Sequence, residues 1–176
     1  MISLCKGLLI TGLGIGAALA SLGAQADGNG YVEAGLTQLT LSSGGYSVKP
    51  SNALVRVGYQ FTRNFSAELL GAASVSSDTL AGASFKVDSA YGAYLKGQIE
   101  VAPKFELFAR LGWLRATLTG SAPGISLTSS DSGVSYGVGA QYLFTNSWYL
   151  QGDYASYYDK NGGTIKGPSL GIGYRF

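Results

Sequence analysis

Apolar and polar side chains alternate at every second position through most of the chain beyond residue 30. In the segment NALVRVGYQF, Val55, Val57 and Tyr59 fall on one face, and Arg56 and Gln60 fall on the other. This period of two predicts β-strands with one apolar and one polar face, and helix periodicity is absent beyond residue 30. Eight segments carry the alternation: 31–39, 52–61, 65–73, 87–99, 105–113, 134–144, 148–154 and 169–176.

The connections between these segments alternate in length. Three of them are tight and hold turn-forming residues, at 62–64, 102–104 and 145–147. The other four are longer and rich in Ser, Gly and Asp, at about 42–51, 76–84, 119–132 and 159–164. Short turns at one end and longer loops at the other predict an all-β fold, an eight-stranded antiparallel up-and-down barrel. Closure of the barrel would leave no unpaired strand edge.

Two kinds of barrel fit this alternation. A soluble, lipocalin-like barrel points its apolar face inward, whereas a transmembrane β-barrel points it outward into lipid. Charged residues make up only 12% of the chain, and the polar face is largely Gly, Ser, Ala and Gln, which suit a narrow interior better than a solvated surface. Aromatic side chains also gather on the apolar face near strand ends, as in a membrane-interface girdle. These observations favour the transmembrane β-barrel. The girdle residues are Tyr59, Phe61, Phe65, Phe105, Trp148, Tyr174 and Phe176.

The few charges on the polar face nearly balance. Unpaired charges in a narrow, dry interior are costly, so we interpret them as a network of ion pairs inside the barrel. The cations are Arg56, Lys96, Arg110 and Arg175, and the anions are Glu68, Asp88, Glu106 and Asp153. A pair of catalytic carboxylates is the alternative, and it is disfavoured because each carboxylate shares its face with cations.

The N-terminal segment has the order of a secretory signal peptide. Lys6 precedes an uncharged, apolar stretch, and Ala24-Gln25-Ala26 provides an A-x-A cleavage site. We therefore expect a signal peptide over 1–26 and the barrel domain over 27–176. A membrane-spanning helix is the alternative, but the apolar run is shorter than the roughly 20 residues that such a helix needs. The only cysteine, Cys5, lies inside this segment, so no disulfide or thiolate metal site is expected beyond it.

Taken together, these features resemble the small outer-membrane β-barrels of Gram-negative bacteria, the OmpA-like/OmpX-like porin-family barrel domain. The resemblance rests on the signal peptide, the eight alternating strands, the turn pattern and the last strand, SLGIGYRF. It implies a protein of the cell outer membrane, with tight turns in the periplasm, loops outside, and lipid and lipopolysaccharide around it. It also implies that Ile172, Tyr174 and Phe176 form the signal read by the outer-membrane assembly machinery. The peptidoglycan-binding domain of larger members would be absent, because nothing follows Phe176.

Composition limits the chemistry that the chain could perform. It contains no histidine, so Ser-His-Asp catalysis, His-ligated metals and imidazole proton transfer are unavailable. Outer-membrane barrels that modify lipids resemble this chain in size, but their catalysis relies on a histidine, so we expect no enzymatic activity and no cofactor. The glycine-rich segments lack the following helix of a nucleotide loop. A net charge of +2 without basic runs gives no footprint for nucleic acid.

The functional prediction is therefore coarser than the structural one. The first hypothesis is a monomeric outer-membrane protein with a structural, envelope-integrity role or a surface-interaction role. A narrow pore for small solutes or ions is the alternative, and a lipid-modifying enzyme is the least favoured. Arg115 and Lys166 lie at the loop ends of their strands, where they could contact lipopolysaccharide phosphates or serve as ordinary rim charges.

Overall fold

The computed structural model of the chain describes residues 29–43, 46–49, 51–75, 78–80, 83–122, 125–160 and 163–176. The predicted signal peptide, 1–26, and Cys5 lie outside these residues. No helix in the described part of the chain is long and apolar enough to cross a membrane. Antiparallel strands make up nearly all of the described structure, as the alternation predicts.

Within the described residues, eleven strand segments form the sheet. Two interruptions divide long strands: β2 continues β1 beyond Leu39, and β3 leads into β4. The third short segment, β6, follows β5 and pairs with the first residues of β7. The bounds are β1 Gly30–Gln38, β2 Thr40–Ser43, β3 Tyr46–Val48, β4 Ser51–Gln60, β5 Phe65–Ser74, β6 Asp78–Leu80, β7 Ala83–Ala102, β8 Phe105–Ala122, β9 Ile125–Leu143, β10 Trp148–Lys160 and β11 Gly163–Arg175.

The sheet closes on itself. Eight main strands follow one another in the order β1, β4, β5, β7, β8, β9, β10 and β11, and β11 then pairs with β1. That closing pair runs in register from Tyr31 opposite Arg175 to Thr37 opposite Ser169. The backbone amide of Phe176 extends it by donating to the Gly30 carbonyl at 2.9 Å. The prediction of an eight-stranded antiparallel up-and-down barrel is therefore confirmed.

All three predicted tight turns are present, and they lie at one end of the barrel, here called the turn end. Thr62 and Thr145 organise two of them in the same way, because each hydroxyl accepts a hydrogen bond from the backbone amide three residues later, at 3.0 and 2.8 Å. The third turn places Lys104 at a φ of 65°, in the left-handed region that the tight reversal after Pro103 requires. The opposite end of the barrel is called the loop end.

The predicted loop over 119–132 is wrong. Strand β8 continues to Ala122 and β9 begins at Ile125, so these residues form a long hairpin. Serine and threonine suggested a loop by composition, but here their hydroxyls pair across the strands. Thr117 meets Ser130 at 2.9 Å and Thr119 meets Thr128 at 3.0 Å, oxygen to oxygen. The other predicted loops are also shortened by strand segments: β2 and β3 occupy part of 42–51, β6 occupies part of 76–84, and β10 and β11 extend into 159–164.

The outer surface of the barrel is apolar and carries aromatic rings at two levels. The predicted girdle lies at the turn end, where the rings of Trp148 and Tyr174 meet edge to face with centroids 5.0 Å apart. A second level lies nearer the loop end and was not predicted as a girdle. On β8 the two levels are marked by Phe105 and Trp113, separated by about 26 Å of strand at the usual rise. At the usual strand tilt of about 40° this is a height of about 20 Å, of the same order as the roughly 25 Å lipid-facing band of an outer-membrane barrel. The second level comprises Tyr91, Trp113, Tyr136 and Tyr154.

Candidate functional site in the barrel interior

Six buried charged side chains meet in the middle of the barrel, and we call them the central network. Each comes from a different strand, so closure of the barrel is what brings them together. Three are anions and three are cations, and all are nearly inaccessible to solvent. The members are Glu33 of β1, Arg56 of β4, Glu68 of β5, Lys96 of β7, Arg110 of β8 and Asp153 of β10.

Arg110 joins all three carboxylates of the network. Its Nε donates to Glu68 Oε2 at 2.7 Å, its Nη2 donates to Glu33 Oε2 at 3.1 Å, and its Nη1 donates to Asp153 Oδ1 at 3.3 Å. Nη2 also reaches the Gln151 side-chain oxygen at 2.9 Å. The planar guanidinium has donors in a fixed fork, which is why an arginine can bridge several carboxylates at once.

Glu33 is the most connected anion, and sequence reasoning missed it. It is 0% exposed and forms salt bridges with Arg110 at 3.1 Å, Lys96 at 3.4 Å and Arg56 at 3.6 Å. The Tyr149 hydroxyl donates to its Oε1 at 2.8 Å, and the side-chain amide of Gln151 donates to its Oε2 at 2.6 Å. The alternation of the first strand could have identified it. Glu33 is the only charged residue of that strand, and it must point inward if the opposite face meets lipid.

Aromatic rings surround the Lys96 ammonium. Its Nζ lies 4.7 Å from the centroid of the Phe108 ring and 5.0 Å from that of Tyr31. The Tyr31 hydroxyl in turn donates to Glu68 Oε1 at 2.6 Å, and Nζ donates to the side-chain oxygen of Gln141 at 3.0 Å. Ring faces attract cations, so the ammonium is stabilised by both rings and carboxylates.

A second charge pair lies between the central network and the turn end. Arg175 donates to Glu106 through both terminal nitrogens, at 2.6 and 3.3 Å. The Gln141 side-chain amide also donates to Glu106. This pair is more exposed than the central network, with side chains 22% and 14% accessible for Arg175 and Glu106. The interior is thus occupied by paired charges along much of its length.

Most of the predicted interior network is brought together, with one residue undetermined. Seven of the eight predicted charges make the contacts described above. The side chain of Asp88 lies outside the described part of the structure, and its backbone falls where the register between β7 and β8 shifts, between Val87 and Ser89.

The other predicted positions point away from the interior. Arg115 and Lys166 are exposed at the loop end, and their contact with lipopolysaccharide stays a prediction. Ile172 is exposed on the outer face, and the Tyr174 and Phe176 rings contact each other edge to face with centroids 5.3 Å apart. Their role as an assembly signal also stays a prediction.

Glycines make the interior wide enough for its aromatic rings. Four interior rings each lie beside a glycine directly opposite on the neighbouring strand, and a Cβ added to any of these glycines would stand within 3 Å of the ring. The sequence analysis assigned glycine to the polar face as a residue suited to a narrow interior, and these four positions agree with it. The pairs are Tyr31 with Gly58, Tyr94 with Gly112, Phe108 with Gly139, and Tyr149 with Gly173.

The interior is not polar along its full length. This corrects the expectation that the inward face of every strand is polar. On the loop side of the central network, inward-facing positions are filled by Leu54, Leu70 and Leu114. Together with Leu39 and Ile165 they line a cavity of about 200 Å³. Leu54 and Leu70 lie on the same strand faces as Arg56 and Glu68, which were predicted to point inward, but the apolar layer that these leucines form was not predicted.

The chemistry open to the interior is limited by these contacts. The three central carboxylates are each held by cations and hydrogen-bond donors, so none is free to act as a general base on a substrate. Among the described residues, no group of three or more acidic, histidine or cysteine side chains is placed to hold a metal ion. The arrangement is that of a packed, charge-balanced plug with an apolar cavity above it.

Comparison with known sequences gives one family. Residues 8–176 match the sequence profile of the outer membrane protein beta-barrel domain. No curated protein matches the chain.

Solved structures of small outer-membrane barrels have the same fold. The attachment invasion locus protein Ail of Yersinia pestis, solved in complex with the heparin analogue sucrose octasulfate, is 18% identical with a TM-score of 0.66, over 86% of this chain and 100% of Ail. Neisserial surface protein A, NspA, is 16% identical with a TM-score of 0.70, over 84% of this chain and 97% of NspA. The N-terminal barrel domain of Pseudomonas aeruginosa OprF is 13% identical with a TM-score of 0.61, over 84% and 98%. At these identities the likeness shows the fold alone.

Proposed function

From the premise that this chain belongs to the outer membrane protein beta-barrel domain family, we propose that it is a non-conducting barrel with a structural or surface-interaction role. The family places the protein among the outer-membrane barrels, and the fold hosts many roles. Two features support a role that uses the outside of the barrel rather than its lumen. They are the closed interior and the strand extensions at the loop end.

The central network supports the proposal that the barrel does not conduct. A permeating ion would have to pass between Arg110 and the carboxylates of Glu33 and Glu68, which the Arg110 guanidinium contacts at 2.7 to 3.4 Å. Opening a path would separate buried charge pairs, and each separation leaves an uncompensated charge in the interior. The balance of three anions against three cations also gives no preference for one sign of ion, unlike the charged ring of a selective pore. A narrow pore is therefore the weaker alternative.

The long hairpin of β8 and β9 supports the proposal of a surface-interaction role. β8 has 18 residues, whereas a strand needs only about 9 to 11 to cross a bilayer, so roughly half of the hairpin extends past the membrane. Within the described residues, the backbone over 125–135 pairs with β8 on one side, and pairing with β10 begins only at Tyr136. An open strand edge is a surface on which an extended segment of a partner can add a strand. Ail is named as an attachment invasion locus protein, and attachment is the kind of surface role proposed here.

Planar-bilayer recordings of refolded protein test the closed interior. We expect no steady unit conductance from the unaltered protein. The informative variant is Arg110→Met, matched by Arg115→Met, which alters an exposed arginine of the same strand. A steady conductance in the unaltered protein would contradict the proposal if Arg110→Met or Glu106→Gln changes it. The control, Arg115→Met, should then leave that conductance unchanged.

Shortening the hairpin tests the surface role. Deletion of residues 119–128 removes the part of β8 and β9 farthest from the membrane, makes Leu118 and Ser129 a two-residue turn, and leaves the pairing of 105–117 with β9 in place. We expect this variant to fold and to reach the outer membrane, but to lose attachment of cells to surfaces. Unchanged attachment together with raised sensitivity to detergents on deletion of the whole chain would favour the envelope-integrity role instead.

A further inference from the structure

The cavity of about 200 Å³ lies inside the barrel, on the loop side of the central network. Its position follows from the strands that supply its walls. Leu54 lies two residues beyond Arg56 on β4, Leu70 lies two residues beyond Glu68 on β5, and Leu114 lies four residues beyond Arg110 on β8. The charged plug is therefore the floor of the cavity.

The walls of this cavity are apolar, although it lies in a barrel whose interior is otherwise polar. Leucine, isoleucine and alanine side chains from β4, β5, β7, β8 and β11 face it. An engineered apolar cavity of about 150 Å³ in another protein stays dry and takes up benzene. The volume here is of the same order, so it fits one aromatic ring or a short alkyl chain. It is smaller than the roughly 300 to 1,000 Å³ of a site for drug-sized molecules.

Asn52 and Tyr157 are the two described residues of the lining whose buried polar atoms lack a hydrogen-bond partner, and Asn52 lies on the same strand as Leu54. The Asn52 side chain is 1% exposed and lines the cavity. Neither its amide nitrogen nor its amide oxygen has a hydrogen-bond partner. Buried polar groups in native proteins are nearly always hydrogen-bonded, and an unpartnered one calls for a missing partner. The amide offers both a donor and an acceptor, which a hydroxyl group can satisfy together.

The charge of the ligand follows from the floor of the cavity. Arg56, four residues from Asn52 on β4 and on the same face, already forms salt bridges with Glu33 at 3.6 Å and Asp153 at 3.7 Å. The central network is balanced without any addition, with three buried anions and three buried cations. A charged headgroup would leave one charge uncompensated in this buried region. The floor therefore favours a neutral polar group.

We propose that the cavity binds a small neutral amphiphile, whose ring or short alkyl body lies among Leu54, Leu70 and Leu114 and whose hydroxyl bonds to the Asn52 amide. The mouth of the cavity lies where β9 and β10 separate, since Ser156 opposite Tyr136 is their last paired position. Asp131 and Tyr158 stand on the two sides of this gap, and the Tyr158 hydroxyl donates to Asp131 at 2.5 Å. A ligand would enter past this hydrogen bond.

Fluorine NMR of 4-fluorophenol added to the refolded protein in lipid nanodiscs tests the site. We expect a saturable bound signal that empty nanodiscs do not give. Leu70→Phe, which fills the cavity, should abolish that signal, whereas Leu69→Phe, on the neighbouring outward-facing residue, should keep it. Ala90→Leu fills the same cavity from β7 and is matched by the outward-facing Ala93→Leu, in case Leu70→Phe does not fold. Folding of each variant is checked by its shift in gel migration on boiling.

The hydroxyl and the charge of the probe are tested separately. We expect fluorobenzene and 4-fluorobenzoate to bind at least tenfold more weakly than 4-fluorophenol, and Asn52→Leu to remove the preference for 4-fluorophenol over fluorobenzene. The absence of a saturable signal in the unaltered protein, or its survival in folded Leu70→Phe and Ala90→Leu, would overturn the proposal. Equal binding of all three probes would overturn the role of Asn52. None of these results depends on attachment or conductance, so they separate this site from the proposed surface role.

Discussion

Tyr31 lies directly opposite Gly58 in the pairing of β1 with β4, and its ring covers the place where a side chain at 58 would begin. A Cβ added to Gly58 would stand 2.2 Å from the ring carbon that bears the hydroxyl. That hydroxyl donates to Glu68 at 2.6 Å. The glycine therefore fixes the position of a ring that in turn orients one carboxylate of the central network.

Replacement of Gly58 by alanine should destabilise the barrel. The Tyr31 ring would have to move, with loss of packing and of its hydrogen bond to Glu68, and overpacking of this kind costs about 1 to 3 kcal/mol. The measurement is the free energy of unfolding in urea for protein folded into lipid vesicles. Gly71→Ala is the matched control, because Gly71 is on the outer face of the adjacent strand and an added Cβ there meets nothing within 4 Å. Equal losses for the two variants would contradict the role assigned to Gly58.

Replacement of Glu33 by glutamine should cost more than any exposed charge substitution. It leaves three buried cations facing two carboxylates, and removing one partner from a buried ion pair costs about 3 to 5 kcal/mol. The measurement is again the free energy of unfolding in lipid vesicles. Glu100→Gln, which changes an exposed glutamate on β7, should change it by less than about 0.5 kcal/mol. A loss for Glu33→Gln no larger than that of the control would show that Glu33 does not hold the network together.

Restoring the charge balance should recover part of that loss. Lys96 contacts both Glu33 and Glu68. Lys96→Met in the otherwise unaltered protein therefore removes a cation from both carboxylates and leaves three buried anions facing two cations. In the Glu33→Gln background the same change returns the network to two anions and two cations. We therefore expect the double variant to unfold less readily than the sum of the single losses predicts, by about 1 to 3 kcal/mol of coupling energy. Strict additivity would mean that the two side chains act independently.

The sequence predicted which face of each strand points inward better than it predicted which inward-facing side chains contact one another. Parity follows from the period of two, which is a property of the backbone, so Arg56, Lys96 and Arg110 could be assigned to the interior from single strands. Their partners could not, because the contacts of Arg110 with Glu33 and Asp153 cross the lumen between strands distant in sequence. Only closure of the barrel determines which inward-facing residues meet.

Composition misled in two places for a physical reason. The serine- and threonine-rich segment 119–132 has the composition of a loop, yet its hydroxyls pair across β8 and β9 where both strands extend past the barrel wall. Leu54 and Leu70 alternate with apolar residues on the opposite face, and the average character of their own face is polar. A local apolar layer within a polar face does not alter the period, so the cavity could be found only from the folded barrel.

Arginine placed on the outer face should be tolerated according to its depth in the membrane. Val138 lies between the two aromatic levels of β9, which Tyr142 and Tyr136 mark, and its side chain is 65% exposed on the outer face. Arginine near the middle of the lipid-facing band of a barrel costs about 2 to 4 kcal/mol, and this falls to about 0 to 1 kcal/mol near the interfaces. Val138→Arg should therefore lose several times more unfolding free energy in vesicles than Phe144→Arg, which changes an exposed ring at the turn end.

Measuring both variants in lipid vesicles and in detergent micelles shows whether the extra cost of Val138→Arg comes from the membrane. In lipid vesicles the cost of Val138→Arg arises because the guanidinium must leave water for hydrocarbon. A detergent micelle is thinner and more easily deformed than a bilayer, so the gap between Val138→Arg and Phe144→Arg should narrow there. The same gap in both media would locate the cost in strand packing, and equal costs for the two variants in vesicles would place Val138 outside the lipid-facing band.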